Sequence, residues 1–279
     1  MMRIRKIAIL IDGAFFLKRL PQLVEPQYRS NPQSVGETIR ILCKRHVQKL
    51  IGENEGIQNS KWLDHVYRLF YYDAVPYTGV AHNPISNQQI QFAKTENAEF
   101  REQLFAELRK KRKFALRLGK VNKEDGWCFK NASLTKSVLK TLQFKDYFLQ
   151  LSESMKGNSP EPVLDTAQQK EFHKFVEFWN HLQSTDIKLS LRQKGVDMRI
   201  GVDIASITLK KQADTIILVT GDSDFVPAAK VARREGVEFL LDPLWQKIND
   251  DLHEHVDGIQ SGLQRTDPLP NSPVTESAP

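Results

Sequence analysis

The stretch Thr215-Ile216-Ile217-Leu218-Val219-Thr220-Gly221-Asp222-Ser223-Asp224-Phe225-Val226-Pro227 decides how the chain is read. An apolar, β-branched run of this kind is a strand buried on both faces. Past a glycine it ends in two carboxylates straddling a serine. Near the other end of the chain, Ile7-Ala8-Ile9-Leu10-Ile11 has the same character and also ends in an acid, Asp12, followed by Gly13. His65–Tyr72 is a third, aromatic-rich strand, with Asp73 after it. Strands alternate with helical patterns along the sequence, which predicts an α/β fold with a parallel sheet and right-handed crossovers. Ligands of such sheets bind beyond the carboxyl ends of the strands, so Asp12, Asp73 and Asp222 are expected at one edge.

Working outward, Val35–Ile51 and Glu99–Lys111 carry apolar stripes at helical spacing. Residues 52–60 and 77–96 read as polar loops. Phe114–Val121 reads as a strand, and Gly126–Lys130 as a short pairing strand after a turn at Lys123–Gly126. Residues 131–190 form a helical insertion, broken at Gly157-Asn158-Ser159-Pro160; its stripe of Phe172, Phe175, Val176, Phe178 and Trp179 reads as helix core. Val196–Arg199 is expected to be extended, with helices over Val202–Lys211, Ser223–Glu235 and Leu244–Leu252 and a strand over Val237–Leu241. The expected organisation is one domain over residues 1–262, including the insertion at about 131–190. A disordered tail rich in Pro, Ser and Thr follows over 263–279.

With 279 residues, 40% hydrophobic and 27% charged, the chain can bury a full core. No apolar run approaches the roughly 18 residues that a bilayer requires. The basic N-terminus precedes a short apolar run, but Asp12 interrupts it and no small-residue cleavage site follows, which argues against a signal peptide. Two cysteines, Cys43 and Cys128, suit free thiols in a cytoplasmic protein better than a disulfide framework. The net charge of +6 is compatible with a polyanionic partner. Much of it falls between Arg101 and Lys120, where Arg109, Lys111, Arg112 and Arg117 are candidate phosphate contacts and a solvated helix face is the competing reading.

A cluster of aspartates is unfavourable unless something positive sits among them. Carboxylates with no interleaved basic residue suit Mg²⁺ or Mn²⁺, hard cations that take oxygen ligands. Asp12, Asp203, Asp222 and Asp224 would supply enough oxygens for one or two such ions. Such a site activates water for phosphodiester hydrolysis. Each acid also has a plainer reading: Gly221–Asp224 as a helix N-cap, Asp12-Gly13 as a strand-ending turn, and Asp203 as a carboxylate favoured by a helix dipole. A haloacid-dehalogenase-like phosphatase would need a second acid two residues after Asp12, where Ala14 stands.

Three segments resemble the NYN domain, and more narrowly the LabA-like branch of the PIN-like nuclease superfamily. They are Ile9–Gly13, Lys194-Gly195-Val196-Asp197 continuing to Asp203, and Asp214 to Phe225; Arg68–Ala74 and Leu116–Gly119 also fit. The likeness covers about residues 4–130 and 190–245. It implies a Rossmann-like α/β/α three-layer sandwich and metal-dependent ribonuclease activity. The metal-binding acids it implies are Asp12, Asp203, Asp222 and Asp224, with Asp197 behind them and Lys194 against phosphate. RNA is then the expected partner, with single-stranded DNA as a second substrate class, no membrane, and self-association left open. The rival is a PIN-like RNA-binding or interaction module without catalysis.

Overall fold

The computed structural model describes residues 4–52, 61–157 and 160–264. Residues 265–279 of the tail expected over 263–279, residues 53–60 of the loop expected over 52–60, and Asn158-Ser159 of the expected break lie outside the described residues. Leu263, by contrast, is buried and its carbonyl accepts the Trp245 indole N–H, so the packed chain runs past residue 262. In chain order the elements are β1 (Ile7–Asp12), α1 (Gly13–Arg19), α2 (Pro32–Ile51), β2 (Val66–Val75), β3 (Val80–His82) and β4 (Gln89–Gln91). Next come α3 (Glu96–Lys110), β5 (Phe114–Phe129), α4 (Ala132–Lys140), α5 (Lys145–Met155), α6 (Thr166–His181) and β6 (Ile187–Lys194). The last are α7 (Val196–Leu209), β7 (Thr215–Val219), α8 (Val226–Arg234), β8 (Glu238–Asp242), α9 (Asp250–Glu254) and β9 (Gly258–Ile259). Two compact units divide the chain. Met1–Thr78, Phe92–Asn122 and Gln193–Pro279 form the first, and Gly79–Gln91 with Lys123–Arg192 the second.

Among the described residues, seven strands pair in the order β6-β5-β2-β1-β7-β8-β9. The pairs β5–β2, β2–β1, β1–β7, β7–β8 and β8–β9 are parallel. The fold is therefore mixed α/β with a mostly parallel sheet. In the first unit the side chains of β1 alternate between two cores. Ile7, Ile9 and Ile11 pack with Phe16, Leu42 and Leu104 from α1, α2 and α3. Ala8 and Leu10 pack with Ile200, Ile204, Ala229 and Leu252 from α7, α8 and α9. Helices thus cover both faces, which is why the strands are apolar on both sides. Strand order reverses at β1, with β2 on one side and β7 on the other, and a crevice opens beyond such a reversal.

Several local readings are corrected. Residues 196–199 are the first turn of α7, not an extended segment. Gly195, at φ +76°, makes the turn off β6, and Val196, Ile200, Ile204 and Ile207 then form one buried stripe at helical spacing. β2 runs on through Asp73 to Val75. Residues 114–129 form one strand rather than two, running through the turn-like Lys123–Gly126. The loop at 77–96 contains the antiparallel β3–β4 hairpin. The helix expected from Ser223 starts as a 3-10 turn and becomes α8 only at Val226, with Pro227 in its first turn. The last helix is confined to Asp250–Glu254, because Asp242 Oδ1 accepts the Leu244 amide and turns the chain after β8.

The second unit contains the expected insertion together with the hairpin. Phe144, buried on a 3-10 turn between α4 and α5, meets Phe172 and Phe175 of α6 at ring separations of 5.3 and 5.9 Å. Phe172 and Phe175 are half-buried against Phe144 rather than full helix core, while Val176 and Trp179 are exposed. No helix of the described residues is long and apolar enough to cross a membrane.

Candidate functional site

β1 and β7 place the site. Asp12 ends β1, and its Oδ1 accepts the Phe15 amide at 3.1 Å, so it is the N-cap of α1. The chain can begin a helix there because Gly13 lies flat against β2. A Cβ at this position would stand 2.5 Å from Tyr71 Cζ and 2.6 Å from the Tyr72 carbonyl oxygen. Backbone cannot yield as a flexible side chain does, so Gly13→Ala is expected to cost at least about 1–3 kcal/mol, read as a lower urea midpoint at unchanged slope. An unshifted midpoint would show that α1 can lift off β2 without penalty.

From β7, the Thr220 hydroxyl reaches Asp12 Oδ2 at 3.5 Å and accepts the Asp222 amide at 3.3 Å. Asp222 Oδ1 in turn accepts the Asp224 amide at 3.0 Å and caps the 3-10 turn Ser223–Phe225. The capping reading of this stretch therefore holds for one oxygen of Asp222. Its second oxygen has no partner among the described residues. Gly221 is pressed between Phe15 and Gln246, with both within 2.9 Å of where a Cβ would sit.

Asp197 enters from the first turn of α7, and its carboxyl is pushed upward by partial burial and by the charges of Asp222 and Asp224. Asp12 is pushed up to about 6, chiefly by burial and further by Asp197 and Asp73, against the amides of Phe15 and Ala14. Asp197 thus lies within electrostatic reach of Asp12 on one side and of Asp222 and Asp224 on the other, at the carboxyl edge. Among the described residues, none of the four forms an ion pair; the ion pairs nearby are Arg101–Asp73 and Arg117–Asp203. No group of three or more His, Cys, Asp or Glu side chains among the described residues is arranged to hold a metal ion as it stands.

Asp203 is placed differently from the expectation. It lies six residues beyond Asp197 on α7, about 9 Å along the axis and about 120° around it. Its Oδ2 accepts the Tyr72 hydroxyl at 2.8 Å and Arg117 Nε at 2.9 Å. A basic side chain therefore stands among the acids, contrary to the sequence reading. Asp73 is not a strand-end acid either. It is fully buried inside β2, where it pairs with Arg101 and accepts the Ala74 amide at 2.7 Å and Gln193 Nε2 at 3.3 Å. Its Oδ2 and the neighbouring Tyr71 hydroxyl are buried without partners among the described residues.

The basic run divides. β5 enters the sheet at Phe114 opposite Leu69, while Asp12 lies in register with Tyr72 and Tyr72 with Arg117. Arg109, Lys111 and Arg112 precede β5, so they belong to the amino edge of the sheet, away from the acids. Lys111 is moreover paired with Glu37 and mostly buried. Arg117 and Lys194 are the two of the five expected contacts at the acidic edge. The Lys194 carbonyl lies 2.6 Å from where a Cβ on Gly119 would sit, and Gly119 is in register with Ala74, beyond Tyr72.

Residues 129–260 match the family model of the NYN domain. Just under half of the chain is therefore similar to the NYN domain. The NYN match contains Asp197, Asp203, Asp222 and Asp224 and leaves Asp12 on β1 outside it. It also takes in residues 131–190, which the sequence likeness had left aside. NYN domains belong to the PIN-like nuclease superfamily. No curated protein matches the chain. Among solved structures it is similar to a protein of unknown function from Vibrio parahaemolyticus, at 11% identity and a TM-score of 0.35, over 95% of this chain and 98% of that one.

Proposed function

We propose that the chain is an NYN protein of LabA-like type, a ribonuclease that hydrolyses RNA phosphodiester bonds with Mg²⁺ or Mn²⁺ bound at the carboxylate edge. The observation that supports it is the group Asp12, Asp197, Asp222 and Asp224: the Asp197 charge pushes the Asp12 carboxyl up, those of Asp222 and Asp224 push up Asp197, and among the described residues none of the four is ion-paired. An all-oxygen donor set that repels itself suits a hard divalent cation. Asp12, Asp222, Asp224 and Asp197 are the residues that would hold it, with Asp203 displaced from the set by its bonds to Arg117 and Tyr72. Mg²⁺ normally keeps several waters and takes only one or two protein carboxylates, so part of this set would act through water. When bound, such an ion polarises phosphate oxygens and lowers the pKa of attacking water.

The chain's own residues orient that chemistry. The Phe15 amide fixes one oxygen of Asp12 and the Thr220 hydroxyl steadies the other. Asp222 is held by its cap, with its second oxygen available. Arg117 and Lys194 offer positive charge to the nucleic-acid backbone at the same edge. A binding module without catalysis is the second reading, favoured by the absence of a closed three-acid cluster among the described residues.

Incubation of labelled single-stranded RNA and DNA with the protein in Mg²⁺, Mn²⁺ and EDTA separates the two. The nuclease reading expects RNA products with either metal and none in EDTA. Retention of RNA without products in either metal would leave the binding module.

A further inference from the structure

Asp12, Tyr72 and Arg117 stand in one row across three adjacent strands. In a parallel sheet, residues in register share a face, and strands lie about 4.8 Å apart, so the Asp12 and Arg117 Cα atoms are about 10 Å apart. The Arg117 guanidinium lies over the Phe70 ring, 5.3 Å from its centroid. Its Nε donates to Asp203 Oδ2, which also accepts the Tyr72 hydroxyl. Tyr72 is fully buried, so this arrangement is anchored from inside the sheet. Only Nε is engaged: the two terminal nitrogens have no partner among the described residues, and the Arg117 side chain is 44% exposed. A guanidinium held at Nε and stacked on a ring keeps its outer nitrogens pre-oriented, the geometry that suits a phosphate.

We infer that Arg117 is a clamp for an RNA backbone phosphate beside the carboxylate group, and that Asp203 with Tyr72 is the pair that positions it. This deepens the nucleic-acid reading above and rests on it. Asp203 then acts on the substrate only through Arg117 and is not a metal ligand. The arrangement places a positive group on the same row as Asp12, so a strand held by Arg117 lies across the carboxylates rather than being repelled by them. A lysine could not replace the clamp fully, because it has no second nitrogen to give Asp203 while gripping phosphate.

The test measures RNA affinity and metal affinity separately. A fluorescein-labelled single-stranded RNA is titrated in EDTA at several KCl concentrations, and Mn²⁺ binding is followed by electron paramagnetic resonance. Arg117→Met is expected to weaken RNA binding about tenfold and to flatten the slope of log affinity against log salt by about 0.7, one phosphate contact. Arg117→Lys keeps the slope with reduced affinity. Asp203→Ala loosens RNA binding, whereas Asp203→Asn, whose amide oxygen accepts the same Nε bond, restores it. Both Asp203 variants keep the Mn²⁺ affinity that Asp12→Asn loses.

An unchanged salt slope in Arg117→Met would remove the clamp. A loss of Mn²⁺ affinity in Asp203→Asn would return Asp203 to the metal ligands and overturn the inference. Failure of the nuclease reading shows elsewhere, as RNA bound through Arg117 but uncut in Mn²⁺.

Discussion

Asp12→Asn should melt several degrees above the wild-type protein in metal-free buffer at pH 7.5, and should cleave no RNA. The wild-type carboxyl is raised from 3.8 to about 6 by burial first and by Asp197 and Asp73 next. Because the folded state holds this proton more tightly than the unfolded chain does, ionisation opposes folding. The opposition is absent below about pH 4, grows between about pH 4 and 6, and is complete above that, at about 3 kcal/mol. Asparagine keeps the N-cap on the Phe15 amide and removes the charge.

The variant's advantage should therefore widen from pH 4 to 6 and then stay level. About 1–3 kcal/mol recovered raises the melting temperature by several degrees in a protein of this size. Adding Mn²⁺ should stabilise the wild-type protein and not the variant, since only a state that binds the ion gains from it. Differential scanning fluorimetry across pH, with and without Mn²⁺, reads all of this. A variant that melts lower than wild type at pH 7.5, or that cuts RNA at the wild-type rate, would remove Asp12 from the site.

The sheet was legible because its signals are local. Ile7–Ile11 and Thr215–Val219 are apolar on both faces, and a strand buried on both faces must lie inside a covered parallel sheet. The acids that follow each strand were legible for the same reason, since the end of a strand fixes where its next residue goes. What could not be read was anything depending on which elements meet. Asp203 and Asp197 sit on one helix, and nothing in their spacing says that Arg117, some 86 residues away, would take one of them. Asp73 resembled a strand-end acid until β2 proved three residues longer at that end and α3 brought Arg101 against it.

The basic run misled in the opposite way. Its composition suggested one surface, but a helix and the strand after it place their residues at opposite ends of the sheet. The extended reading of Val196–Arg199 failed because Gly195 looked like an interruption when it is the turn into the helix.

Arg101→Met should destabilise the protein by about 3–5 kcal/mol, the usual result of stripping the partner from a buried ion pair. Asp73 is fully buried, the Arg101 side chain is 16% exposed, and one oxygen of Asp73 already lacks a partner among the described residues. Burial holds the Asp73 carboxyl above its ordinary range even with Arg101 beside it. Without the guanidinium it rises further, so the loss should be largest at neutral and alkaline pH and shrink as acid supplies the missing proton. The sign follows from a folded-state affinity for protons that exceeds the unfolded one.

Removing both charges separates the pair's net value from the cost of breaking it. The double variant Asp73→Leu with Arg101→Met should recover most of the lost stability, because two apolar groups need no compensation. Urea unfolding of the two single variants and the double variant at pH 5 and pH 8 tests the scheme. If Arg101→Met unfolds at the wild-type midpoint at pH 8, the pair does not pin α3 to β2. Asp73 would then have to be neutral in the folded protein, and its contribution to the repulsion felt by Asp12 would vanish with it.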